Sequence, residues 1–150
     1  MDSTGHREPL LTVTDAISAE AEAVIEDGLA RFNQERSGIA DGRLLAVTAA
    51  DPATGEVLGG LTGRTSLGLL FVDLFFLPAS VRGGGLGGRI LRLAEEEAIR
   101  RGCCAAVLYT ISFQAPGFYE RHGYRVFGEV DCHPPGTSRV FMSKRFDSPG

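Results

Sequence analysis

Lysine is almost missing from this chain: of fifteen lysines and arginines, only Lys144 is a lysine. Positive charge is therefore nearly all guanidinium, which reflects genome composition more than function. Cysteine is scarce as well. Cys103 and Cys104 are adjacent and Cys132 stands alone. Sequence neighbours cannot easily bridge without strain, and no metal-ligand spacing is present, so no metal is expected. The pattern reads as a reducing, cytoplasmic compartment. No apolar run reaches the length of a membrane span, and the polar start Met1-Asp2-Ser3-Thr4-Gly5-His6-Arg7 has no signal-peptide character. A net charge of −4 argues against nucleic acid as the main partner. What is present is ordinary for a globular protein: 43% hydrophobic and 23% charged residues over 150 positions. That length allows one domain, 1–150, with a substantial core.

The most informative stretch runs from Leu67 to Arg101. Leu69-Leu70-Phe71-Val72-Asp73-Leu74-Phe75-Phe76-Leu77 is an almost unbroken apolar segment ending at Pro78, and it reads as a buried strand. After it comes Arg82-Gly83-Gly84-Gly85-Leu86-Gly87-Gly88-Arg89. Leu86, Ile90, Leu93, Ala94 and Ala98 then recur at helical spacing, with Arg89, Arg92, Glu96 and Arg100 on the wet face. Glu96 with Arg100, and Glu97 with Arg101, are acid-before-base pairs four apart, and Gly102 ends the helix. Strand, glycine loop and helix together suit a phosphate or diphosphate. Glycines let backbone amides face inward, the helix N-terminus adds its dipole and unpaired amides, and Arg82 and Arg89 add charge at the two ends.

Three glycine-loop patterns compete. A nucleoside-triphosphate loop needs Gly-Lys-Ser/Thr, but Gly88 is followed by Arg89 and Ile90. The dinucleotide pattern G-x-G-x-x-G is met by Gly83, Gly85 and Gly88, yet Pro78 to Arg82 separate it from its strand. No acid stands at the end of the next strand to bind a ribose. The third pattern, R/Q-x-x-G-x-G/A, fits as Arg82-x-x-Gly85-x-Gly87 and resembles the coenzyme A pyrophosphate loop of the GNAT acyltransferase superfamily. A glycine-rich surface turn is the plain alternative, and the flanking strand and helix argue against it.

Taken in order, residues 1–7 read as a loose tail and Glu8 to Thr14 as a short first strand. Asp15 or Ser18 then caps a helix carrying Ile17, Ala21, Val24, Ile25, Leu29 and Phe32 on one side and acids on the other. The acidic side is either a solvated face or an approach for a cationic amine. Strands follow over Leu44 to Thr48, Glu56 to Thr65 and the central apolar segment. Beyond the glycine loop and its helix come a strand over Cys104 to Ile111 and a short helix from about Pro116 to Gly123. Strands over Tyr124 to Val130 and Arg139 to Phe146 follow, and then a frayed tail at 147–150.

The run Ser112-Phe113-Gln114-Ala115-Pro116-Gly117-Phe118-Tyr119-Glu120-Arg121-His122-Gly123-Tyr124 is similar to the closing GNAT motif, A-x-x-F/L-Y-E-x-x-G-F/Y. The two motifs cover roughly Val72 to Tyr124 in the family's order. The stretch Phe113 to Val140 further resembles a subgroup of small bacterial acetyltransferases. The resemblance implies an α/β GNAT fold: a mixed, mostly antiparallel sheet of six to seven strands flanked by helices and splayed between the fourth and fifth. It implies an acetyl-CoA-dependent N-acetyltransferase acting on a small amine or peptide, with no metal and with dimerisation as a family tendency. By the same analogy Phe75, Phe76 and Leu77 lend backbone groups to the pantetheine arm. Arg82, Gly83, Gly84, Gly85, Leu86, Gly87, Gly88 and Arg89 hold the pyrophosphate. Ser112, Gln114, Phe118 and Tyr119 border the coenzyme, although Ser112 replaces an asparagine common in relatives.

Two residues are candidate catalysts. Tyr119 matches the family tyrosine that protonates the leaving thiolate, a role open to a phenol of pKa near about 10; packing as a core aromatic is its plain alternative. Asp73 is the only charge in an apolar run, and a buried carboxylate needs a reason. It is a base, an anchor for the substrate ammonium, or a structural partner for an arginine such as Arg64. His122 reads as a C-terminal helix charge partner, and Cys103 and Cys104 as small apolar residues. A non-catalytic acyl-CoA-binding module is the alternative function, and a dinucleotide oxidoreductase ranks third.

Overall fold

The computed structural model describes residues 7–146. The tails read from the sequence lie outside these residues, Arg7 excepted. The chain falls into two compact units divided between Ala40 and Asp41.

The first unit carries one long helix, α1 (Ala19–Ser37). Of the two candidate caps, Ser18 is the one used: its Oγ accepts from the Ala21 N–H at 3.1 Å, satisfying one of the orphan donors of the first turn. Gly38 closes the helix in the left-handed region (φ +77°), and its N–H donates to the Gln34 carbonyl at 2.7 Å. The strand expected at 8–14 does not form, and those residues have no regular structure. Leu10, Leu11 and Val13 gave an apolar cluster, but a strand exists only through its ladder, and no strand pairs with this segment.

The second unit is built on six strands: β1 (Arg43–Ala50), β2 (Val57–Ser66), β3 (Leu69–Phe76), β4 (Ala105–Ile111), β5 (Arg125–Asp131) and β6 (Ser138–Arg145). A 3-10 turn (Ala79–Val81) and α2 (Leu86–Arg100) lie between β3 and β4, and α3 (Pro116–Arg121) lies between β4 and β5. The sheet order is β1-β2-β3-β4-β6-β5. Neighbours run antiparallel except β3 and β4, whose parallel pairing requires the long α2 crossover. No helix among the described residues is long and apolar enough to cross a membrane.

The α2 helix covers β1, β2 and β3. It buries Gly88, Ile90, Leu91, Ala94, Glu95 and Ala98, a stripe at spacings of three and four. The sequence reading placed Leu93 inside, but Leu93 is 51% exposed and Leu91 takes the core position at 1%. Leu91 and Ile90 each contribute about 1.5–3 kcal/mol by leaving water. Against them pack Leu61, Leu70, Ala106, Leu108 and Met142 from the sheet. The expected Glu96–Arg100 pair is replaced: Arg100 turns to Glu97 at 2.9 Å, and Glu97 also takes Arg101 at 2.9 Å. Arg101 goes on to donate to the Leu44 carbonyl and to Thr65 Oγ1, both at 3.0 Å. This ties the end of α2 to β1 and β2.

Candidate active site

The site begins where β3 and β4 part. Their ladder covers three pairs, Leu69 with Ala105, Leu70 with Ala106 and Phe71 with Val107. Past Phe71 and Val107, β3 stays bonded to β2 as far as Phe76 and β4 to β6 as far as Ile111, but the two no longer pair with each other. The facing backbone edges of an opened seam suit an extended ligand that carries its own amides.

The glycine loop and the first turn of α2 stand at the mouth of this opening. Gly83 and Gly85 adopt φ +89° and +81°, a region costly to residues with a Cβ. A Cβ at Gly83, Gly84 or Gly85 would meet nothing within 4 Å, so this side of the loop is open to a bound group. The α2 ladder starts with the Arg89 N–H donating to the Gly85 carbonyl at 3.1 Å. The amides of Leu86, Gly87 and Gly88 therefore have no carbonyl partner within the helix, and the helix dipole favours an anion before them. Arg82 Nε donates to the Leu77 carbonyl at 2.7 Å, fixing the loop's charge to the end of β3.

The opposite wall is aromatic. Phe75 meets Phe118 and Tyr119 edge-on at 5.9 and 6.5 Å between centroids, and Phe118 lies 4.7 Å from the His122 ring. Gly88 makes that placement possible, because a Cβ there would stand 2.8 Å from His122 Cε1. Together these elements enclose a cavity of about 560 Å³, lined by Phe75, Leu77, Arg82, Gly83, Gly85, Gly87, Gly88, Arg92, Ala115, Phe118, Tyr119, Arg121 and His122. That size suits a cofactor-scale ligand. Among the described residues three arginines and no carboxylate line it, so the lining fits a polyanion such as a coenzyme A diphosphate.

Tyr119 is 8% exposed and lines the cavity. Among the described residues no protein atom makes a hydrogen bond to its hydroxyl, whereas the buried Tyr124 hydroxyl is bonded to Glu95. A buried phenol without a partner costs free energy unless a ligand or water supplies one. Burial pushes the Tyr119 hydroxyl up to about 12, so it keeps its proton at neutral pH.

A family model described as an acetyltransferase (GNAT) domain matches residues 35–126. The chain belongs to the GNAT acetyltransferase family. This GNAT enzyme is 39% identical over 134 residues to Acetyltransferase Atu2258 of Agrobacterium fabrum, covering 89% of this chain and 97% of that one. It is also 39% identical over 112 residues to the blasticidin-S acetyltransferase of Streptomyces morookaense, covering 73% and 82% of the two chains. Among solved structures, a candidate acetyltransferase from Agrobacterium tumefaciens superposes with a TM-score of 0.82 at 38% identity, over 92% of this chain and all of that one. The fold agrees with the membership: a mixed six-stranded sheet, open between the strands before and after the glycine loop.

Within this acetyltransferase, the cavity gathers Phe75, Leu77, Arg82, Gly83, Gly85, Gly87, Gly88, Phe118 and Tyr119 from the residues singled out in the sequence. Phe76, Gly84, Leu86, Arg89, Ser112 and Gln114 are not in its lining. Gln114 Oε1 accepts from the Ile111 N–H and from Thr110 Oγ1, and Ser112 Oγ accepts from the Ser138 N–H. Both side chains brace the turn between β4 and α3. Asp73 is not buried as the apolar run implied. The register slips between Thr62 and Gly63, leaving Asp73 as the extra residue of a bulge; it lies on the face of Phe71, opposite the buried Leu70 and Val72. Its carboxylate bonds Arg64 at 2.8 Å with both side chains about half exposed, and the Arg64 guanidinium rests 4.6 Å from the Phe71 ring centre. Cys104 is exposed while Cys103 is buried, so only the latter acts as a small core residue.

Sequence reasoning missed Arg92, Ala115, Arg121 and His122 as cavity residues. Arg92 was legible only as wet-face charge. For His122 the sequence carries no signal: His122 and Gly88 lie in separate stretches, and only the fold shows that one fills the space left by the other.

Proposed function

We propose that the chain moves the acetyl group of acetyl-CoA directly onto a primary amine, with 1–150 acting as one acetyltransferase domain. The observation that carries this reading is the buried Tyr119 hydroxyl, without a hydrogen-bond partner among the described residues, in the cavity whose mouth is the glycine loop. Backbone amides from Gly83 to Gly88, with Arg82, hold the diphosphate, and Phe75, Phe76 and Leu77 offer backbone groups to the pantetheine arm. Arg92 and Arg121 add positive charge to the same cavity.

In the reaction the amine nitrogen bonds to the thioester carbonyl carbon, the carbon–sulfur bond breaks, and sulfur leaves with the bonding pair. Tyr119 donates its proton to that sulfur and regains one from the water that takes the proton lost by the amine. A phenol at about 12 is a weak acid beside a thiol in water. In a dry site, however, desolvation also raises the proton affinity of the thiolate, so donation becomes more balanced. The amine's proton goes to solvent in this reading, because Asp73 faces Arg64 and not the cavity. An Asp73→Asn variant with unchanged turnover and acceptor KM is the expected result, and a loss of either would restore Asp73 as base or anchor.

The likeness to blasticidin-S acetyltransferase makes small-molecule amines the first acceptor class to screen, ahead of peptides. A cytoplasmic setting and association with a second copy belong to the same reading, and light scattering tests the second. The deciding experiment incubates the protein with acetyl-CoA and an amine panel, with products read by mass spectrometry and free thiol followed in parallel. Acetylated amine from the wild type, and about a hundred-fold less from Tyr119→Phe, is expected; equal turnover by the variant excludes the phenol as proton donor.

A further inference from the structure

We propose that Lys144, Glu95 and Tyr124 form a positioning network that sets the orientation of Tyr119; this rests on the reading of Tyr119 as the proton donor. Glu95 is an acid within the buried stripe of α2, at 8% exposure. Both its oxygens are engaged: Oε1 accepts from Lys144 Nζ and Oε2 from the Tyr124 hydroxyl, each at 2.8 Å. The Lys144 ammonium also lies 5.8 Å from the centre of the Tyr124 ring. Three elements meet at this carboxylate: α2, β6 and the chain just after α3.

Glu95 is buried while Lys144 keeps 27% of its side chain exposed, and an ion pair with one buried partner is poor evidence of stability, since desolvation offsets much of the attraction. Its cost is better explained by what it fixes. Tyr124 touches Tyr119 twice. Its N–H donates to the Tyr119 carbonyl at 3.0 Å, and the two rings meet edge-on at 5.7 Å. The α3 helix that carries Tyr119 has only six residues, far below the length at which a helix holds its own geometry, so its orientation must be imposed from outside. Tyr124 joins that short helix to the charged network.

The identity of the cation supports the same conclusion. Every other basic side chain of Lys and Arg type in this chain is an arginine, yet this position is lysine. Its stem passes tightly over Gly123, where a Cβ would stand 3.3 Å from Lys144 Cε. A compact ammonium can bond Glu95 there and still lie beside the Tyr124 ring, whereas a longer, planar guanidinium requires a different approach.

The test compares Tyr124→Phe, Glu95→Gln and Lys144→Arg with the wild type. Tyr124→Phe keeps the ring and removes one oxygen, so it carries the test if Glu95→Gln fails to fold by circular dichroism. Acetyl transfer, coenzyme A affinity by calorimetry and the 13C signal of ring-labelled tyrosine are measured on each. The chain has three tyrosines, so the Tyr119 resonance is assigned by single substitutions. Expected are a kcat lowered about tenfold, because a small misplacement of a catalytic group is expensive, a coenzyme A affinity within twofold of wild type, and a displaced Tyr119 resonance. A kcat within twofold of wild type, or an unmoved Tyr119 resonance, overturns the proposal. If the wild type acetylates no amine, the reading of Tyr119 as proton donor fails instead, and the resonance still decides whether the network positions that ring.

Discussion

The seam between β3 and β4 has two ends, and they solve opposite problems. At the closed end three residue pairs align, and Leu70 and Ala106 are completely buried. At the open end the same strands lose each other, and the space between them is ringed by the glycine loop, the start of α2 and the aromatic wall of α3. Hydrogen bonds left unpaired in a sheet are normally a liability. Here the ladders to β2 and β6 continue past the split, so each strand keeps its hydrogen bonds on its other edge. One pair of strands can thus serve as core at one end and as an opening at the other, provided that neither depends on the other past the third pair.

Substitutions at the two ends should therefore separate stability from activity. At the closed end, Leu70→Ala leaves a cavity beside α2 and should cost about 2–5 kcal/mol in denaturant unfolding, with coenzyme A affinity kept in the fraction that stays folded. At the open end, Tyr119→Phe should remove about a hundred-fold from kcat with little change in the unfolding midpoint; a large loss of stability instead would make Tyr119 a core residue. Between them stands Gly88→Ala. Its new methyl would press on the His122 ring, and an overpacked contact of about 1–3 kcal/mol should appear as weaker coenzyme A binding in calorimetry.

The pH dependence sharpens the same contrast. The Tyr119 hydroxyl is raised from its ordinary value to about 12 by burial, so the folded state holds its proton more tightly than the unfolded state does. The stability it contributes is complete below about pH 10 and is lost as pH rises through about 12. Thermal melting should hold its midpoint to about pH 10 and then decline, and the decline should be smaller in Tyr119→Phe. The smallest effect is expected at the half-exposed ion pair: Asp73→Asn should shift stability by less than about 1 kcal/mol.

The strands around the motifs were legible because their apolar runs are long and bounded by Pro78, Gly102 and Gly123. The loop was legible because few physical tasks call for that spacing of glycines after an arginine. Three things were not. The segment at 8–14 has strand-like residues but no ladder, and a ladder is a tertiary fact. Asp73 looked buried because an apolar run hides which face each residue takes: Asp73 shares the face of Phe71, opposite Leu70 and Val72, and the bulge after it exposes Leu74 as well. Glu95 was not singled out at all; its place inside depends on a tyrosine and a lysine that reach it from 29 and 49 residues away.

The near absence of lysine has a chemical outcome for a protein that handles an activated acyl donor. Thioesters slowly acylate unprotonated side-chain amines without any catalysis. This chain presents one such side-chain amine, and the Glu95 carboxylate holds it at 2.8 Å, away from an incoming thioester. Long incubation with acetyl-CoA should thus leave the internal peptides unmodified in a mass spectrum, and the Glu95→Gln variant is where a self-acetylated Lys144 would first be seen.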